Sequence, residues 1–208
     1  MIFRLDERLL FPDPELAEPD GLLAVGGDLS ARRLLLAYSH GIFPWYSNDE
    51  PILWYSPHER FVLYPPNLKI SKSMRQVLRS GKFSVTFDTC FEQVIQNCSA
   101  AFRKDQDGTW ITNDMITAYT CLHQLGYAHS VEVWENNDLV GGLYGIQVGR
   151  VFCGESMFSK VSNASKTALI HLCQTKKYDL IDCQVHTSHL ESLGAEMISR
   201  TEYVKMLG

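Results

Sequence analysis

Apolar residues recur along this chain with two different periods, and the switches between them divide it into elements. Phe91, Val94, Ile95 and Cys98 fall three and four apart, as do Met115, Ile116, Tyr119 and Leu122, so each set marks one face of a helix and reads as a core face. The spacing and its flanking polar residues predict helices over 71–80, 91–100, 114–125, 165–176 and 201–207. Runs rich in β-branched and aromatic residues predict strands at 61–64, 83–87, 130–135, 139–147, 151–158 and 180–185. From about position 60 onward the two kinds alternate, as in a mixed α/β sheet with helices packed on it. All eight prolines lie at or before position 66. The first sixty-odd residues are therefore expected to be loop-rich with short helices, one of them capped by Ser30 and ended by Gly41. The expected organisation is a small domain over 1–62 followed by a larger one over 63–208.

Composition narrows the class. At 208 residues, 45% hydrophobic and 21% charged, the chain has enough apolar material for a core and is not expected to be disordered. No apolar run approaches the roughly 20 residues that cross a bilayer. Residues 1–10 mix both charge signs without an apolar stretch, so neither a membrane span nor a secretory leader is expected, and the chain reads as cytoplasmic. The six cysteines stand singly, none at C-x-x-C spacing, and read as reduced, buried thiols. Net charge is −5, which argues against a protein that coats nucleic acid. Its distribution is uneven. Residues 1–59 hold ten acids and four bases, whereas 60–82 hold six bases (Arg60, Lys69, Lys72, Arg75, Arg79, Lys82) and no acid. A bounded basic patch on an acidic molecule suits one limited polyanion contact, such as the end of an RNA.

Strand periodicity points to the chemistry. In the 180–185 segment Asp182 and Gln184 are two apart and share a face, roughly 7 Å from each other along the strand. In the preceding strand Glu155 shares its face with Cys153 and Met157. Carboxylates amid apolar strand positions are costly to desolvate unless paired, so they are either wetted strand ends or functional groups. The polar linker with Asn163, Ser165 and Lys166 leads into a helix whose first N–H groups suit a phosphate or carboxylate, although no glycine occurs between 155 and 193. Lys72, Arg75 and Arg79, at i, i+3 and i+7, lie on one helical face, with Met74, Val77 and Leu78 on another; the basic face is either solvated or meets phosphates. Aromatics crowd at Phe43, Trp45, Tyr46, Trp54 and Tyr55, and again at Trp110 and Tyr119, as core packing or as the walls of a groove. Cys183, His186 and His189 match no zinc spacing, and the loops that mark ATP use or serine hydrolysis are absent, so no metal and no cofactor is expected.

Several ordered blocks carry a resemblance: Asp20-Gly-Leu-Leu-Ala-Val-Gly-Gly-Asp-Leu-Ser30, Gly41-Ile-Phe-Pro-Trp45, Trp54-Tyr-Ser-Pro57, Gly108-Thr-Trp-Ile111, His129-Ser-Val-Glu-Val-Trp134, Gly141-Gly-Leu-Tyr-Gly145, Phe152-Cys-Gly-Glu-Ser-Met-Phe-Ser159, Asn163-Ala-Ser-Lys166 and Asp182-Cys-Gln184. Over 11–193 the chain resembles the bacterial leucyl/phenylalanyl-tRNA–protein transferases. The resemblance implies an α+β fold, with a small N-terminal domain followed by an acetyltransferase-like (GNAT) domain. It implies transfer of leucine or phenylalanine, with methionine as a further candidate, from aminoacyl-tRNA to the N-terminus of proteins beginning with Arg or Lys. That product is marked for degradation by the N-degron pathway. In this light Asp182 and Gln184 would be catalytic, read as orienting groups more than as bases, and Glu155 would hold the acceptor's N-terminal residue. Trp45, Trp110, Tyr119, Leu143, Phe152, Leu169 and Ile181 would form the aminoacyl pocket. Lys72, Arg75, Arg79, Asn163, Ser165 and Lys166 would meet the tRNA through its 3′ end and acceptor stem. Leu143 stands where some members carry Met, and Tyr55 where a second Trp is common. Nothing in the pattern demands a partner chain, so a monomer is expected. Two other classes share part of it: a non-catalytic binder of basic N-termini or tRNA ends, and an acyl-CoA-dependent GNAT N-acyltransferase. Asp182 and Gln184 beside Glu155 speak against the first, and the missing glycine loop against the second.

Overall fold

The computed structural model describes residues 2–101 and 109–208. Its strands and helices run in the order β1 (Phe3–Leu5), β2 (Leu22–Gly26), α1 (Ala31–Ser39), β3 (Phe43–Pro44), β4 (Leu53–Tyr55), β5 (Glu59–Leu63), α2 (Lys72–Arg79), β6 (Ser84–Phe87), α3 (Phe91–Ala100) and α4 (Asn113–Gln124). The order continues with β7 (Ala128–Glu135), β8 (Asp138–Val148), β9 (Val151–Ser159), α5 (Ala164–Gln174), β10 (Leu180–Gln184), α6 (Ser188–Ser192), β11 (Glu196–Ser199) and α7 (Arg200–Leu207). A four-stranded sheet, β1-β2-β4-β3, precedes a seven-stranded sheet, β11-β5-β10-β9-β8-β7-β6. This is the expected α+β architecture, with every helix and strand predicted beyond position 60 present within a few residues of its expected bounds.

Capping explains why the helices start where they do. The side chains of Ser30, Ser71 and Thr112 accept from the N–H three residues on, and Ser199 closes a reciprocal box with Glu202 at the start of α7. The helical stripe Phe91, Val94, Ile95, Cys98 is fully buried against one face of the large sheet, together with Met115, Tyr119 and Leu122 of α4 and Tyr38 of α1. The opposite face is covered by α5, whose Leu169, Leu172 and Cys173 pack on Val131, Leu143, Phe152 and Ile181.

The structure differs from the sequence reading in three places. The first sixty residues carry a sheet of four strands as well as α1, not mainly loops; those strands are two to five residues long, too short for an alternation to register. Helix α6 and strand β11 were not expected, and β11 exists because its backbone pairs antiparallel with β5. Strand β5 is also notable for its place: starting only four residues after β4 of the small sheet, it lies inside the large one, between β11 and β10.

Candidate active site

Two β-bulges set the site. Strands β9 and β10 run parallel and pair through Leu180 with Val151, Ile181 with Phe152 and Asp182 with Cys153, and then part. On β9 the pairing with β8 steps from Gly145–Gly154 to Tyr144–Ser156, which leaves Glu155 as the extra residue. On β10 the pairing with β5 steps from Asp182–Val62 to Gln184–Phe61, which leaves Cys183 over, and Gln184 takes a left-handed φ of 60°. The strands therefore splay apart where each has just been re-aimed. The bulge also corrects a facing prediction: Glu155 lies on the α4 side with Cys153, whereas Met157, two residues on, packs with the α5-side cluster. Gly145 makes the β9 bulge possible, because a Cβ there would sit 2.2 Å from the Cys153 carbonyl oxygen and 2.6 Å from the Phe152 ring. Gly145→Ala is expected to cost about 1–3 kcal/mol of stability by overpacking, read as a lowered thermal midpoint.

Asp182 is completely buried and ion-paired with Arg60 of β5, itself 2% exposed. The Arg60 guanidinium also donates to the Gly41 carbonyl at 3.2 Å and lies over the rings of Phe43 and Tyr203, 4.9 and 4.5 Å from their centroids. Burial alone would lower the pKa of Arg60, but the charge of Asp182 outweighs it and holds Arg60 above its usual value. The pair with Arg60 and the burial leave Asp182 no contact with solvent. What Asp182 does is accept the Gln184 backbone N–H at 2.9 Å, holding that residue in its left-handed conformation.

Glu155 sits across the splay. Its Oε1 accepts from Gln184 Nε2 at 3.0 Å and its Oε2 from the Tyr119 hydroxyl at 3.3 Å, while Tyr119 is hydrogen-bonded to Tyr38 behind it. Burial pushes the Glu155 carboxyl up to about 7; the Tyr38 hydroxyl draws it back, Asp182 pushes it further, and Arg60 and Tyr119 draw it back. Both tyrosines are raised, by burial first and Glu155 next, and remain hydroxyl donors.

The splay opens into a cleft of about 670 Å³ between α5, the strands and the aromatic segment of the small sheet. Trp45, Trp110, Leu143, Phe152, Leu169 and Ile181 line it together with Glu155, Asp182 and Gln184. Trp45 stands at the rim, 43% exposed, tilted against Tyr55. Tyr119, expected on the pocket wall, lies instead beneath Glu155 as its hydrogen-bond donor. Gly108, which opened one of the sequence blocks, lies outside the described residues. The cleft also takes in Asp20 and Thr187, which the sequence reading did not single out, and His189, which it weighed only as a metal ligand. It counted Arg60 only as part of the basic stretch; the available signal was Asp182 itself, since a carboxylate in an apolar strand calls for a cation.

The remaining candidate residues fall outside the cleft. Lys72, Arg75 and Arg79 are exposed on α2, with Met74 turned inward, and Arg75 is bent back to donate to the Ile70 carbonyl at 2.9 and 3.1 Å. Asn163 occupies a left-handed φ of 72° just before α5 and makes no side-chain cap, Ser165 donates its N–H to Ser159 at 3.3 Å, and Lys166 is half-buried in the first turn. Lys166 stands near enough to His189 that its charge, after burial, lowers the pKa of that imidazole. No described helix is long and apolar enough to cross a membrane.

Comparison with known proteins bears on the same residues. Residues 62–208 match the family model described as leucyl/phenylalanyl-tRNA protein transferase, and residues 27–58 match the model of that protein's N-terminal domain. The leucyl/phenylalanyl-tRNA–protein transferase of Syntrophobacter fumaroxidans is 58% identical over 209 residues, covering 99% of this chain and 89% of that one. That of Flavobacterium psychrophilum is 55% identical, covering 98% of each. Among solved structures, a GCN5-related N-acetyltransferase from Kribbella flavida aligns with 77% of this chain and 58% of that one, at 10% identity and a TM-score of 0.41.

Proposed function

Because the chain belongs to the leucyl/phenylalanyl-tRNA–protein transferase family, it is an aminoacyltransferase acting between tRNA and protein, and we propose that its acceptors are proteins beginning with Arg or Lys. The observation that carries this is the charge of the cleft: beside Asp182, which Arg60 neutralises, it is lined by Asp20 and Glu155, and no Lys or Arg lines it among the described residues. A desolvated acidic site selects a cationic partner. The modified protein then carries a leucine or phenylalanine that delivers it to the N-degron pathway. The enzyme works as a cytoplasmic monomer, and its small N-terminal domain ends before β5 rather than at residue 62, because that strand lies inside the large sheet of the catalytic domain.

The reaction asks for positioning more than for strong acid–base chemistry. The aminoacyl ester is already activated, and an α-amino group with a pKa near 7.7–8.0 is partly neutral at pH 7. The leucyl or phenylalanyl side chain enters between α5 and the sheet, against Leu143, Phe152, Leu169 and Ile181, with Trp45 and Trp110 toward the rim. Such a pocket separates side chains that differ by one methylene by only about 1–3 kcal/mol, so both donors are accepted. Gln184 meets the attacking amine, its backbone fixed by Asp182 and its amide by Glu155, and Glu155 receives the acceptor's first residue. The amine nitrogen forms the new bond to the ester carbonyl carbon, the carbon–oxygen bond to the tRNA ribose breaks, and the amine's proton ends on the released hydroxyl. Holding amine and ester in contact supplies most of the acceleration.

Labelled leucine is expected to pass from Leu-tRNA to an Arg-initiated peptide and not to an Asp-initiated one; equal transfer to both, or to neither, overturns the proposal. The exposed Lys72 and Arg79, with Arg75, contact acceptor-stem phosphates, and Asn163, Ser165 and Lys166 at the start of α5 contact the 3′ end. Reversing Lys72 and Arg79 to Glu is expected to raise KM for Leu-tRNA about tenfold and to flatten its dependence on salt. An unchanged KM assigns that face to solvent.

A further inference from the structure

Three acids line the cleft, but two of them are already engaged. Asp182 is neutralised by Arg60, and Glu155 has one oxygen held by Gln184 and the other by Tyr119. The third, Asp20, is exposed at the rim. Its Oδ1 accepts the Leu22 N–H at 3.0 Å, and its Oδ2 accepts no hydrogen bond among the described residues. Its backbone is pinned by its neighbour: Gly21, at φ 89°, donates to the Glu18 carbonyl and accepts from Ser56 N–H at 2.7 Å. A Cβ at Gly21 would lie 2.9 Å from the Pro57 Cα, so only glycine closes this turn. Asp20 lines the cleft beside Tyr55, Pro57 and Trp45 of the same aromatic rim.

We propose that Asp20 is the outer carboxylate of the acceptor site, binding the cationic side chain of the acceptor's first residue from the rim while Glu155 meets that residue from within. This rests on the reading that the acceptor begins with Arg or Lys, and it assigns the charge selectivity to the small N-terminal sheet as well as to the strand splay. A guanidinium offers five donors in a planar fork and an ammonium three, so either cation has donors for more than one carboxylate of the cleft. Asp20 is wetted and its pull is screened by salt, whereas Glu155 is shielded. The two carboxylates are thus separable by experiment.

Asp20→Asn keeps the oxygen that holds Leu22 and removes only the charge. Transfer from Leu-tRNA is measured to peptides beginning with arginine and with citrulline, its uncharged isostere, at low and high salt. In Asp20→Asn the ratio of kcat/KM for arginine over citrulline is expected to fall about fivefold, through KM and with kcat little changed. The salt dependence of KM for the arginine peptide is expected to weaken in the variant. A ratio and salt dependence equal to wild type overturn the role of Asp20. If the wild type itself uses the two peptides equally, the reading of a cationic acceptor fails instead, and the two failures are told apart within one experiment.

Discussion

Asp182→Ala will abolish transfer and come close to unfolding the protein. The substitution leaves the Arg60 guanidinium buried between Phe43 and Tyr203 with its charge unmatched. Removing one partner of a buried pair costs about 3–5 kcal/mol, against a total stability of about 5–15 kcal/mol for an ordinary domain. The variant also frees the Gln184 N–H, which Asp182 holds at 2.9 Å, and so releases the left-handed residue that we propose meets the attacking amine. Misplacement of a positioning group by about 1 Å is enough for a loss of about 100-fold in kcat. Denaturant midpoints and single-turnover rates separate the two effects. Asp182→Asn keeps an oxygen for Gln184 while losing the charge, so its midpoint is expected to fall more than its rate. The double variant Arg60→Met, Asp182→Leu removes both charges and is expected to recover stability without recovering transfer. A near-wild-type rate in Asp182→Ala removes Asp182 from the mechanism.

Glu155→Gln will lose activity and gain stability, and the gain will depend on pH. In the folded protein the Glu155 carboxyl is held up near 7 against an ordinary value of 4.5. Between those two values the folded state keeps a proton that the unfolded state has released, so stability falls as pH rises. The favourable contribution is whole below about 4.5 and gone above about 7. At pH 8 the buried carboxylate therefore weighs against folding by about 3 kcal/mol. Glutamine carries no such load. The variant is expected to match wild type near pH 4.5 and to exceed its thermal midpoint at pH 8 by several degrees. Its kcat/KM for an Arg-initiated peptide is expected to drop by the equivalent of about 2–5 kcal/mol, the cost of removing one side of a shielded charge pair. A stability gap that does not widen with pH contradicts the burial of an ionisable carboxyl at this position.

Apart from α6 and β11, the elements beyond position 60 were legible because each spans two or more periods of its own pattern. Helix α3 repeats its stripe over ten residues, and Ser71, Thr112 and Ser199 announce their helices by capping. The short strands of the small sheet hold too few residues for a period, and β11 owes its existence to a partner more than 130 positions away in sequence. At the site, Asp182, Gln184 and Glu155 were visible as polar residues where strands should be apolar. What they do was less visible. A bulge adds one residue and leaves no periodic trace, so Met157 was assigned to the wrong face. Arg60 is 122 residues from Asp182, and alone it looked like one more member of a basic stretch. Asp20 was read only as the first residue of one block that carries the resemblance, with no sign that it would line the cleft.

In the function proposed for this chain, the splay between β9 and β10 receives the aminoacyl group beside Gln184. The most direct test is a crystal structure with leucyl-adenosine in which an amide replaces the reactive ester. The expected result places the leucyl side chain against Leu143, Phe152, Leu169 and Ile181, with its carbonyl within reach of Gln184 and an open path from Glu155 for the incoming amine. Density for the leucyl group anywhere outside this cleft contradicts that claim.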